Sequence, residues 1–189
     1  TKLKEDQILF RATASGGTSL ATDADFIPAR VADDVVTASG VGRFSDVVLD
    51  RMLSGKAVGV RPFIGEVSHG MAGGSTPQDL ETMFQLVYLR FTQPRADKAA
   101  FAALASQARG LLANQLASPD VVFNQAIDSA LSGDSPRRQP ETPATVERWD
   151  LAKSLAFYKA RFADASNFTF VFVGSFTPES IKPLVETYL

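Results

Sequence analysis

At 189 residues, with 45% hydrophobic and 21% charged content, the chain has the length and balance of a globular protein with a substantial core. A formal charge of −2 excludes the basic excess of a typical nucleic-acid binder, and no apolar run approaches the roughly eighteen residues of a membrane-spanning helix. The absence of cysteine removes disulfides, thiolate zinc sites and cysteine nucleophiles, and the single histidine, His69, leaves too few imidazoles for an independent catalytic zinc site.

No signal peptide opens the chain and its first residue is Thr1, so the expectation is a processed product or an excised piece of something longer. Gln7 to Thr13 alternates Ile8, Phe10 and Ala12 with Leu9, Arg11 and Thr13, which predicts a strand. Ala14 to Ser19 breaks it with small residues and two glycines. Phe26 to Gly40 then reads as one amphipathic helix, with Pro28 in its first turn and a stripe of Ile27, Val31, Val35 and Ala38. A second helix carries Val48, Leu49, Met52 and Leu53 on one face and stops at Gly55.

Ala57–Val60 and Glu66–Met71 form a predicted hairpin, in which Pro62 implies an edge strand or a bulge. Gly73 to Thr76 reads as a plain turn into a helix; the alternative is an anion site on free amides. No phosphate loop is present, because Asp50 stands where the first glycine before Gly55-Lys56 would be and Ala57 follows the lysine. Thr76-Pro77-Gln78-Asp79 starts the clearest helix, with Leu80, Met83, Phe84, Val87, Tyr88 and Phe91 at helical spacing and Pro94 as its end.

Asp97 opens a long helix with Phe101, Leu104, Ala108, Leu111 and Leu112 inward. Ser118-Pro119 opens another that carries Val122, Phe123, Ile127 and Leu131. Asp134 to Pro143 is an expected exposed loop; its Arg137-Arg138 pair is either ordinary surface charge or a grip for a carboxylate or a domain interface. Thr142 to Phe162 is read as helical. Asn167 to Val173, apolar on both faces, is expected to be a central covered strand, and Thr177-Pro178-Glu179 starts a last helix. The expectation is one α+β domain over residues 1–189, with several helices on one face of a largely antiparallel sheet.

The order of these elements, together with Ser15-Gly16-Gly17-Thr18-Ser19-Leu20, Pro77 to Thr82, Arg90 to Arg95, Pro136-Arg137-Arg138, Phe157 to Phe162 and Val173 to Phe176, resembles a domain of the pitrilysin/insulinase family of zinc metallopeptidases. Active members carry H-x-x-E-H on their first helix, two histidines for zinc and a glutamate as general base. Laid on this sequence, the motif falls on Arg30-Val31-Ala32-Asp33-Asp34: both imidazoles are missing and Asp33 stands at the glutamate. The family's third ligand, a glutamate, comes from the helix matching Asp97 to Leu116, where no Asp, Glu or His follows Asp97.

The resemblance thus implies a non-catalytic domain with no metal of its own, the Gly-Gly-Thr-Ser opening pointing to the first domain of the C-terminal half. The implied zinc sits in a catalytic domain of the parent protein, and the implied partners are such a domain, in the same or another chain, and a peptide substrate. Asp33-Asp34 admits a hard cation as one reading and a solvated helix face as the other. His69 is read as structural or, with Val58, Val60 and Val67 of the hairpin, as part of a peptide-binding strand edge. The competing function is a pseudo-peptidase scaffold in an assembly without proteolysis. The compartment stays open, periplasm favoured over cytoplasm by the resemblance.

Overall fold

Alternating side chains place four strands, β1 (Ile8–Ser15), β2 (Val58–Ile64), β3 (Ser68–Ser75) and β4 (Thr169–Gly174), in one antiparallel sheet of order β2-β3-β1-β4. The computed structural model describes residues 6–133 and 135–189; the expectations placed on Thr1 and Asp134 lie outside them. The register puts Ile8, Phe10 and Ala12 level with Ser75, Gly73 and Met71 on one side and with Gly174, Phe172 and Phe170 on the other. These residues point under the helices. Leu9, Arg11, Val171 and Val173 point away from them, and Leu9, Val171 and Val173 are about half exposed.

The helices are α1 (Phe26–Arg30), α2 (Ala32–Ser39), α3 (Asp46–Leu53), α4 (Leu80–Thr92), α5 (Lys98–Gln115), α6 (Pro119–Leu131), α7 (Pro143–Val146), α8 (Leu151–Arg161) and α9 (Pro178–Tyr188). The architecture is the α+β class expected. Met83, Phe84 and Val87 of α4 and Tyr158 and Phe162 beside them fill the core against the inner sheet face. Thr76 caps the turn into α4 by accepting from Asp79 N, and Asp97 caps α5 by accepting from Ala99 N and Ala100 N.

Several expectations need correction. The helix read over Phe26 to Gly40 is broken at Val31, whose φ of −108° and ψ of 8° leave the helical range. The break turns α2 so that Ala32, Val35, Val36 and Ser39 are buried, while Ala38 is only half-buried. At the break the Pro28 carbonyl accepts from Ser154 Oγ at 2.8 Å, which ties α8 across the junction. In α3 only Leu49 is buried; Val48 and Met52 face solvent.

Gly73 to Ser75 continue β3, so the turn expected there is strand. The helix expected over Thr142 to Phe162 is two, α7 and α8, because Asp150 is extended and caps the second through Lys153 N. Strand β4 is not central. It lies at the sheet edge, and its outward valines are uncovered because the described helices pack on the opposite face. Leu111 of α5, expected inward, is exposed, and so are Val122, Phe123, Ile127 and Leu131 of α6.

A buried arginine, absent from the expected core, secures the end of α2. Arg90 is 4% exposed, and its Nη1 donates to the Gly40 carbonyl at 3.3 Å and the Val36 carbonyl at 3.5 Å. A guanidinium at a helix C-terminus meets the negative end of the helix dipole. Tyr158 Oη donates to the Arg90 carbonyl at 3.2 Å, which links α2, α4 and α8.

Candidate functional site

The positions that match the zinc motif lie at the α1–α2 junction, packed against the end of β2. Arg30 closes α1 and pairs with Glu141 at 3.3 Å. Asp33 and Asp34 occupy the first turn of α2. Asp33 Oδ2 accepts from Ile64 N at 3.0 Å, whereas its Oδ1 is buried with no hydrogen-bond partner. Burial, and then the Asp34 charge beside it, pushes the Asp33 carboxyl up to about 6. Burial also raises Asp34, which the Arg61 charge partly opposes. Asp33 is therefore no solvated helix-face residue: it ties a helix to the edge strand.

Among the described residues no three His, Cys, Asp or Glu side chains come together to hold a metal. The half-buried Asp33 carboxylate spends an oxygen on a backbone amide, the residue at the first histidine position is a guanidinium, and α5 carries no acid. These residues do not fit the tetrahedral nitrogen-and-carboxylate set of a catalytic zinc.

His69 lies on the inner face of β3, opposite Ala14, and is 3% exposed. Gly17 N donates to its Nδ1 at 3.3 Å and its Nε2 faces the Arg161 carbonyl at 3.0 Å. Those partners require the neutral tautomer with the proton on Nε2, and burial holds the imidazole below its ordinary pKa. Phe162 and Phe168 meet its ring edge-on. Gly17, at φ 59°, can sit here only because it has no Cβ, which would strike the Gly65 carbonyl.

The four proposed peptide contacts are not brought together. Val60 is 5% exposed and faces the core with His69 and half-buried Val58; Val67, in the hairpin turn, is 69% exposed. What β2 offers is backbone, since it is an edge strand. Ladder alternation turns the backbone groups of Val58, Val60, Pro62 and Ile64 to the open side, but Pro62 has no N–H and the Ile64 amide is taken by Asp33. Pairing from outside is left to Val58–Val60.

One feature escaped sequence reasoning. A cleft of about 960 Å³ runs between the hairpin turn, the start of α1, the end of α6 and the loop at Arg137–Pro140. Arg137 donates to Asp23 Oδ1 at 2.9 Å and to the Thr18 and Ala21 carbonyls, and its guanidinium lies over the Phe26 ring. Arg138 grips both oxygens of Glu66. Of the readings of Arg137-Arg138, the grip on a carboxylate is the one seen, and it pins the loop to the strand exit and hairpin. The adjacent arginines hinted at this role, but their partners lie far away in sequence.

No protein-family profile matches the chain. It is 26% identical over 192 residues to the probable zinc protease PqqL of Haemophilus influenzae, covering 97% of this chain and 20% of that protein. The periplasmic protease PqqL from Escherichia coli superposes with a TM-score of 0.80 at 20% identity, over 98% of this chain and 20% of that one. A peptidase M16 inactive domain from Pseudomonas fluorescens superposes with a TM-score of 0.77 at 14% identity, over 98% of this chain and 45% of that one. The fold is that of zinc peptidase domains of the M16, pitrilysin-like kind, inactive ones included, and the curated relatives are zinc proteases. The chain spans a fifth or less of the length of those curated relatives.

Proposed function

We propose that this chain is a non-catalytic domain of a zinc metallopeptidase, the first domain of its C-terminal half, which helps enclose the chamber where a separate H-x-x-E-H domain cleaves peptide. The observation that carries the reading is the pairing of a peptidase-domain fold with the residues at its motif positions. Arg30 is occupied by Glu141, Asp33 by the Ile64 amide, and α5 supplies no third ligand. The helix pair keeps its packing role through Ala32, Val35 and Val36. Zinc, in this reading, resides in the catalytic domain of the parent protein.

Within the chamber the open edge of β2 at Val58–Val60 is the segment available for backbone pairing with an extended peptide. The scaffold reading draws support from the guarding of that same edge by Pro62 and Asp33. Deleting this domain from the longer protein decides between them. The expected product keeps its zinc but loses cleavage of unfolded polypeptide; a parent that never held zinc or cleaved peptide supports the scaffold instead.

A further inference from the structure

Helix α6 is inverted with respect to its own amphipathicity. Its half-buried positions are Val121, Gln125 and Ser129, whereas Phe123, Ile127 and Leu131 are 66%, 40% and 82% exposed. These three large side chains stand four apart and form one ridge. Beside it runs a second exposed row, Val122, Ala126 and Ala130, two of whose three side chains are methyl groups. A ridge of large residues flanking a row of small ones, both at a spacing of four, is the surface into which another helix packs. Leu131 carries the ridge into the cleft, whose far rim is the exposed Val67 of the hairpin turn.

The cleft narrows what can lie there. Its three arginines are each compensated, Arg30 by Glu141, Arg137 by Asp23 and Arg138 by Glu66, so among the described residues it holds no unneutralised cation for an anionic ligand. Backbone pairing is closed off too. Gly16 N, Thr18 N and Ser19 N donate to the Val67, Gly65 and Glu66 carbonyls, each at 2.8 Å, and fill the inner side of the turn. Asp128 of α6 adds one exposed carboxylate to the lining, so an occupant binds by apolar side chains beside three paired arginines and one acid. Exposed apolar ridges of this kind mark contact surfaces.

We infer that the Phe123–Ile127–Leu131 ridge of α6, with the cleft at its end, docks the apolar face of an amphipathic helix from another part of the longer peptidase. This rests on the reading of the chain as one domain of such a protein. It is consistent with relatives in which at least four-fifths of the polypeptide lies outside the matched region. The docking seats this domain against its neighbour through side-chain packing and leaves the β2 edge, on another element, open.

The test is amide hydrogen exchange over residues 119–131 in the longer protein and in the 189-residue chain, each with and without Phe123→Asp. In the longer protein α6 is expected to exchange at least about tenfold more slowly than in the chain alone, with that protection lost in Phe123→Asp and kept in the control Asn124→Asp. In the 189-residue chain, Phe123→Asp is expected to leave the melting temperature unchanged, since the ring is exposed there. Equal exchange in both proteins overturns the inference. So does protection in the chain alone that grows with its concentration, which assigns the ridge to a second copy, or protection that arises only on adding an unfolded casein peptide, which assigns it to substrate. Whether the longer protein holds a zinc-loaded H-x-x-E-H domain is read separately by metal analysis, so failure of the functional reading is distinguishable from failure of the docking.

Discussion

Phe84→Ala is expected to destabilise the fold by about 3–5 kcal/mol, measured as a lower urea midpoint with an unchanged slope. Phe84 is 1% exposed at the centre of α4, and its ring stacks on Phe172 of β4 at 5.2 Å and on Tyr188 of α9 at 6.3 Å. Truncation removes the transfer energy of the ring and leaves a cavity between three elements. Strand β4 has a ladder on one side only, to β1, so the inward rings of Phe170 and Phe172 are its other anchor. The loss is a large part of a typical net stability of roughly 5–15 kcal/mol. Faster exchange in β4 than in β3 of the variant is the expected local signature; uniform loosening would mean that β4 is held mainly by its backbone.

Asp33→Asn is expected to act in the opposite direction, stabilising the fold at pH 7 by up to about 3 kcal/mol. The folded carboxyl is raised from 3.8 to about 6 by burial and by Asp34. A raised pKa means that the folded state binds the proton more tightly than the unfolded state does. The stability from that proton is complete below about pH 4 and is lost as pH climbs through about 6. Asparagine mimics the protonated acid in shape and charge and can still accept from Ile64 N. Urea midpoints at pH 4 and pH 7 should therefore converge in the variant relative to the wild type. His69, held below its ordinary pKa, titrates with the opposite sign, but it is common to both proteins and cancels in the difference.

Much of this fold was legible because local pattern and long-range packing agree. Ile8, Phe10 and Ala12 alternate and are all buried, Pro62 marks an edge strand, and Thr76 and Asp97 cap the helices they precede. The scarcity of histidine and the absence of cysteine are read from composition alone, which folding does not alter. What stayed hidden depends on direction and neighbourhood. A strand such as Thr169–Gly174, apolar on both faces, has the same pattern at the centre of a sheet or at an open edge beside uncovered valines. The period of α6 locates an apolar face but not whether that face looks inward. The Val31 break, the buried Arg90 and the Asp33–Ile64 bond each join residues whose relation is set by tertiary packing.

The α1–α2 junction is therefore best described by what its residues now bind. Arg30 holds Glu141, Asp33 holds the edge strand, and the apolar side of α2 holds the core. The most direct measurement is metal content and peptidase activity of the purified 189-residue chain after equilibration with zinc. The expected result is zinc well below one equivalent and no chelator-sensitive cleavage of an unfolded peptide. One equivalent of bound zinc with hydrolysis abolished by a chelator would contradict the account.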